Sequence, residues 1–188
     1  MGHNIRTFVA IKIKPEQKLI GQFSEFRRLF RDEQINWVSE DDFHLTLRFI
    51  GNTSSEQISI LKNKLEEIAT QINSFEFQIS GAGYFKSKGT PRVLFVKIIH
   101  PEILEQLVAL VEEAVVAVGF HKELKPFRPH LTLGRIKYLE NRTRFYQLMD
   151  ELPSVQYQNV RVSEFILYQS TLRPEGPVYK PIKTFELA

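Results

Sequence analysis

Apolar residues along this chain switch between two periods, and the switches mark out its elements. Between Arg6 and Ile13 the apolar Phe8, Val9, Ile11 and Ile13 predict a strand. Pro15 suits the first turn of a helix, and Leu19, Ile20, Phe23, Phe26 and Phe30 follow at the spacing of one helix face. Trp37-Val38 reads as a short extended piece, and Phe43 to Ile50 as a strand ended by Gly51-Asn52. Ser54 and Gln57 form the pattern of a capping box ahead of a helix whose inner face is Ile58, Leu61, Leu65, Ile68 and Ile72. Phe75, Phe77 and Ile79 then alternate with Glu76, Gln78 and Ser80 at strand period.

The run Gly81 to Pro91, with three Gly, one Pro and two Lys, predicts a loop. Arg92 to Ile99 is the next strand. Pro101 opens a helix that carries Ile103, Leu107, Leu110, Val111, Ala114 and Val118 on one side, with Gly119 as its C-cap. Leu131 to Ile136 is a strand, Asn141 to Leu152 a short helix, and strands follow at Val155 to Val162, Phe165 to Gln169 and Val178 to Phe185. The order is α+β, with a similar succession of elements in each half. No low-complexity linker divides it, so residues 1–188 are expected to form one bilobal domain. The seam is expected near Ile72 to Gly81, with the last strands able to cross it.

Composition narrows the chemistry. A chain of 188 residues with 43% hydrophobic and 25% charged residues is of ordinary globular make-up and can bury a sizeable core. The net charge of +3 permits an anionic ligand without requiring one. The chain has no Cys, which excludes disulfides, thiolate catalysis and Cys-based zinc sites. No apolar run reaches membrane-spanning length, and the start, Met1 to Arg6, has neither a signal peptide's apolar stretch nor a myristoylation pattern. A cytoplasmic monomer is the default expectation.

One tetrapeptide occurs twice. His44-Leu45-Thr46-Leu47 returns as His130-Leu131-Thr132-Leu133, close to half the chain away. In a strand, residues i and i+2 share a face, so His44 and Thr46 point one way while Leu45 and Leu47 anchor in the core. The second copy repeats the arrangement. A phosphate between two such strands would meet two hydroxyl donors and two imidazoles. One neutral imidazole can take a proton and one imidazolium can give one, because histidine's ordinary pKa is near 6.5. No metal or cofactor is needed for such chemistry, and neither motif has the His-Glu-x-x-His spacing or carboxylate cluster of a zinc site. A lone strand histidine is commonly structural; recurrence with its threonine on the same face favours a shared site.

His44-Leu-Thr-Leu-Arg-Phe-Ile-Gly51 and Phe127-Arg-Pro-His-Leu-Thr-Leu-Gly-Arg135 resemble the paired His-x-Thr motifs of the 2H phosphoesterase superfamily. The resemblance is greatest to the RNA 2′,3′-cyclic phosphodiesterases, also called 2′-5′ RNA ligases (the LigT/ThpR group). It also takes in Arg6-Thr-Phe-Val-Ala-Ile, Pro91-Arg-Val-Leu-Phe-Val, Ser170-Thr-Leu and Gly176-Pro-Val-Tyr179. It implies two pseudo-symmetric lobes, each an antiparallel sheet backed by helices on the outside, with the motif strands lining a central cleft. It further implies metal-independent opening of a terminal RNA 2′,3′-cyclic phosphate to a 2′-phosphomonoester, with weak 2′-5′ ligation by the same site. By that analogy His44 protonates the departing O3′, His130 activates water, and Thr46 and Thr132 bind phosphate oxygens. The expected partner is RNA ending in a 2′,3′-cyclic phosphate, such as tRNA halves or small oligoribonucleotides. Other readings are a 2H enzyme for 2′-5′ oligoadenylate or a small cyclic nucleotide, and a non-catalytic RNA-binding module.

Secondary candidates surround the motifs. Arg135 matches the family's arginine after the second motif and is a candidate phosphate contact. Strict alternation turns it away from His130 and Thr132 unless the strand bulges at Gly134; otherwise it is a structural ion-pair residue. Arg48, by the same alternation, shares the face of His44 and Thr46 as a second anion contact or is a strand-end surface charge. Tyr84-Phe85-Lys86-Ser87-Lys88 combines aromatics and cations in the way single-stranded RNA sites do, so Phe85 and Tyr84 are candidate base contacts. Lys86 and Phe95 stand where the family tends to have Pro and Trp. Tyr179 is a candidate to line the cleft, and Arg128 to hold the second motif strand. His3, His100 and His121 read as surface residues.

Overall fold

A computed structural model describes residues 4–174 and 176–188; the expectations for His3 and for the first three residues fall outside them. The strands are β1 (Ile5–Lys12), β2 (Gln34–Trp37), β3 (His44–Thr53), β4 (Phe75–Ser87), β5 (Thr90–Ile99), β6 (His130–Tyr138), β7 (Gln156–Val162), β8 (Glu164–Arg173) and β9 (Gly176–Glu186). The helices are α1 (Gln17–Leu29), α2 (Ser55–Ala69), α3 (Glu102–Ala117) and α4 (Arg142–Glu151). The Ser54–Gln57 capping box forms with both of its hydrogen bonds, and Asn141 caps α4 by accepting from the Arg144 amide at 2.9 Å.

The strands build two antiparallel sheets, in the orders β3-β1-β8-β9 and β2-β6-β5-β4-β7. The α+β architecture is the expected one. As the sequence allowed, the late strands β8 and β9 return to the first sheet, where β8 pairs with β1. A second crossing has no sequence signal: β2 leaves the first half to pair with the edge of β6. Helices α2 and α3 pack on each other and against β9 and β3, and α1 lies against β7. A continuous core fills the space between helices and sheets, from Val9, Leu45 and Leu61 through Leu107 and Leu131 to Phe165 and Phe185. The opposite face of the first sheet carries its own small cluster of Phe8, Ala10, Ile166 and Tyr168, with Tyr179 against it. Among the described residues no helix is long and apolar enough to cross a membrane.

The loop expected over Gly81 to Pro91 does not exist. Strand β4 runs on to Ser87 and β5 begins at Thr90, so only Lys88 and Gly89 turn, both with positive φ (50° and 76°). That is the geometry of a tight hairpin matched to strand twist. The glycines have other tasks. Gly81 (φ 62°) sits where the β4–β5 register slips, and at Gly83 the Phe95 ring lies so close that an added Cβ would be 2.7 Å from it. In the first motif strand Gly51 does not end the strand; at φ 95° it lets β3 continue to Thr53 through an irregularity.

Candidate active site

The two motif strands, β3 and β6, lie against each other, and each carries the same defect at the same place. Thr46 pairs with Ala10 and Arg48 with Val9, which leaves Leu47 without a partner. Thr132 pairs with Phe95 and Gly134 with Leu94, which leaves Leu133 without one. One extra residue in a strand reverses the alternation beyond it. In β6 the core side reads Leu131, Leu133, Ile136, all buried, so Arg135 joins His130 and Thr132 on the other face. Its charge acts on both His130 and Tyr179. The bulge falls at Leu133, one residue before the expected Gly134, and it gives Arg135 the face that strict alternation denied it.

The same bulge removes Arg48 from the place alternation gave it. Arg48 pairs with the core residue Val9, and Phe49 takes the cleft-side position, stacked toward Phe8 at 6.5 Å. The Arg48 side chain is 11% exposed and ion-pairs with Glu112 of α3 and, at 3.8 Å, with Glu123. It also donates to the carbonyls of Phe49 (2.6 Å) and His121 (2.7 Å). Its guanidinium is therefore engaged with protein groups, and the expected second anion contact is corrected to an ion-pair residue. Tyr84 is corrected too: it faces the core side of β4 and packs edge-on against Phe145 of α4. Phe85, one residue on, faces the other way and meets the His130 ring edge-on at 4.8 Å.

Both imidazoles are held in the same manner. His44 Nδ1 is 2.6 Å from the Asp42 carbonyl, and His130 Nδ1 is 2.6 Å from the Arg128 carbonyl. A carbonyl only accepts, so Nδ1 carries the proton in each ring and Nε2 is the nitrogen left for chemistry. Aromatic rings wall both. Phe8 and Tyr179 flank His44 at 5.3 and 5.2 Å, and Phe85 and Phe95 flank His130 at 4.8 and 5.3 Å. Burial pushes both pKa values below the ordinary histidine value, and the backbone carbonyls partly oppose it. The charges of Lys12 and His130 lower His44 further, against the carboxylate of Asp42; Arg135 does the same to His130. Tyr179 is pushed up by burial.

A lysine stands directly across the ladder from each histidine: Lys12 opposite His44, and Lys97 opposite His130. Sequence reasoning missed this pair, together with Phe8 and the ring-to-carbonyl contacts. The lysines were findable, since each is a cationic residue in a strand that is otherwise largely apolar, Lys12 at the end of β1 and Lys97 near the end of β5. The carbonyl contacts were not, because backbone acceptors leave no residue-type signal. Arg128 holds the second motif through its carbonyl. His100 bonds Glu105 at 3.1 Å. Among the described residues no group of three or more His, Asp or Glu could hold a metal ion. A cavity of about 920 Å³ opens beside the site, reaching His130 and Thr46 at one end.

The chain is similar to known proteins. The LigT-like phosphoesterase family model matches residues 11–95 and 99–179. An RNA 2′,3′-cyclic phosphodiesterase of Thermotoga maritima is 36% identical over 94% of this chain and 92% of its own. One of Methanothermobacter thermautotrophicus is 30% identical over 97% and 99%. A crystal structure from Thermus thermophilus superposes with a TM-score of 0.79 at 29% identity, over 97% and 98% of the two chains. Escherichia coli LigT complexed with 3′-AMP gives 0.77 at 25% identity, over 98% and 99%. With both motif strands, their bulges and their latched histidines in place, the chain belongs to the LigT-like phosphoesterases of the 2H phosphoesterase family.

Proposed function

We propose that residues 1–188 act as one bilobal RNA 2′,3′-cyclic phosphodiesterase that works by proton transfer between two histidines and without a metal ion. Water attacks the cyclic phosphorus while His130 Nε2 takes its proton. The P–O3′ bond breaks, and His44 Nε2–H gives its proton to O3′. The product is a 2′-phosphomonoester with a free 3′-hydroxyl. Thr46 and Thr132 donate to the non-bridging oxygens, and Arg135 adds charge where it develops on them. When a 5′-hydroxyl takes the place of water, the same steps form a 2′-5′ bond.

The observation that carries this reading is the matched pair of Nδ1–carbonyl contacts, which fixes one tautomer in both rings and leaves two equivalent Nε2 atoms to divide acid and base work. The relatives' activity supports RNA ends as the substrate class. The test is an oligoribonucleotide ending in 2′,3′-cyclic phosphate, supplied in EDTA to the wild type, His44→Ala and His130→Ala. A 2′-phosphate product and a loss of at least about 10²-fold in each variant are expected. A 3′-phosphate product would refute O3′ as the leaving group. Loss of activity in EDTA with recovery on adding a divalent ion would refute the metal-free mechanism.

A further inference from the structure

The two latches that hold the histidines are alike in geometry and differ in what stands behind them. In each motif the ring bonds the carbonyl of the residue two before it, Asp42 for His44 and Arg128 for His130. The residue between is Phe43 in the first motif and Pro129 in the second. A proline fixes its own φ near about −65° and confines the residue before it to extended conformations. The direction of the Arg128 carbonyl is thus restricted by the covalent chain. Phe43 buries its side chain in the core, but it puts no such covalent restraint on the Asp42 carbonyl.

That carbonyl belongs to one turn of 3₁₀ helix, Glu40–Asp42. The turn's own hydrogen bonds run from the Asp42 amide to the Ser39 carbonyl at 2.9 Å and from the Phe43 amide to the Glu40 carbonyl at 3.3 Å. A helical end leaves its last carbonyls to outside partners, and two side chains take them here. The Lys12 ammonium donates to the Asp41 carbonyl, and His44 Nδ1–H donates to the Asp42 carbonyl. The Ile13 amide donates to the Phe43 carbonyl at 2.9 Å. The Asp42 carbonyl therefore lies between two others that Lys12 and Ile13 hold. Lys12 stands opposite His44 across the β1–β3 ladder, and both line a small cavity with Asp41 and Asp42. The second half is built otherwise. Lys97 stands opposite His130, but its side chain runs over Gly81, with Cδ 3.9 Å from where a Cβ there would stand. Among the described residues it holds no carbonyl ahead of His130.

We infer that Lys12 is a positioning residue for His44: by holding the Asp41 carbonyl it fixes the next one, which latches the ring, and so does for the first motif what Pro129 does for the second. The inference rests on the two-histidine reading above. A latched Nδ1–H keeps Nε2 as the nitrogen that exchanges protons with the phosphodiester. With Lys12 gone, the Asp42 carbonyl can turn toward water, and the His44 ring gains its second tautomer.

The experiment makes Lys12→Met, Lys12→Arg and Lys97→Met in the full chain. Nitrogen NMR reads the tautomer of each imidazole at a pH where both rings are neutral. kcat and KM are read on an oligoribonucleotide ending in 2′,3′-cyclic phosphate, at each variant's own pH optimum, so that the lost charge beside His44 does not imitate the effect. In Lys12→Met the His44 ring is expected to become a mixture of tautomers. His130 is expected to keep Nδ1–H, which in the same spectrum reports an intact fold. Misplacing a reacting group is expected to lower kcat about ten-fold, with KM within about two-fold of the wild type. Lys12→Arg keeps a cationic donor on a long side chain and is expected to recover most of kcat. A raised KM at unchanged kcat in Lys12→Met would put Lys12 on the substrate and overturn the positioning role. An unaltered His44 tautomer in Lys12→Met, or an equal loss of kcat in Lys97→Met, would overturn it too. The tautomer is read without turnover, so these outcomes stand apart from failure of the two-histidine reading, which full activity of His44→Ala would show.

Discussion

Arg48 and Gly134 occupy the same position of the two motif strands, four residues past His44 and His130, and meet opposite surroundings. Beside Gly134 lies β2, and a Cβ added there would be 2.6 Å from Ile35 Cγ2 and 3.3 Å from Trp37 Cε3. Beside Arg48 no strand pairs with β3 on that side, and the guanidinium reaches α3 and the segment before the second motif instead. Gly134→Ala is expected to destabilise by about 1–3 kcal/mol, the usual range for overpacking, read as a lower denaturant midpoint at constant m-value. A neutral Gly134→Ala would mean that β2 does not press on the bulge.

Arg48→Met removes one partner from a pair that is largely closed to water, Arg48 at 11% and Glu112 at 16% exposure. Breaking a buried pair from one side costs about 3–5 kcal/mol, and Glu112 keeps some solvent access, so roughly 2–4 kcal/mol is expected. Glu112→Gln in the Arg48→Met background should recover part of it, because the stranded carboxylate is then gone. A double variant no more stable than Arg48→Met would show that the pair is not what holds the segment.

The histidine pKa values set the pH–rate profile. Burial holds both below the ordinary value in the free protein, so the bell in kcat/KM should be centred below about pH 6.5. An anionic cyclic phosphate between the rings favours the imidazolium, so the bell in kcat should lie at higher pH. Coincident profiles, or a kcat/KM optimum above neutrality, would contradict that ordering.

Stability should respond to the same groups. A histidine whose folded pKa is depressed binds fewer protons folded than unfolded. Its contribution is therefore intact above the unfolded value near 6.5 and is lost as pH falls toward and through the folded value. Melting temperature should drop on acidification across that window, and the drop should shrink in His44→Ala, whose ring is flanked by Phe8, Tyr179 and the Lys12 charge. An acid drop of the same size in that variant would assign the effect to other groups.

Gly83 bears on the site through Phe95. Its missing side chain makes room for the ring that flanks His130. Gly83→Ala should displace Phe95, cost about 1–3 kcal/mol, and alter the pH midpoint assigned to His130. A change in stability with no change in that midpoint would limit Phe95 to packing.

The fold class was legible because period and motif agree: two strands with alternating anchors, helices with clean faces, and a tetrapeptide present twice. The motif histidines were legible for the same reason. The facing of Arg48 and Arg135 was harder, since one unpaired leucine in each motif strand reverses everything after it and leaves no compositional trace, and Tyr84 lies past a separate register slip of β4 at Gly81. The glycines of residues 81–89 misled because close approach to a ring and a tight turn draw on the same residue. The crossing of β2 is a long-range pairing of a four-residue strand, too short to declare its partner.

The pairing of β1 with β8 sets a timetable for the growing chain. The sheet that carries β6 has all its strands once residue 162 has been made, so His130 can be seated early. The sheet that carries β3 lacks half its strands until residues 164–186 emerge. The earlier of the two motif histidines in the sequence, His44, is thus the later to have its sheet complete.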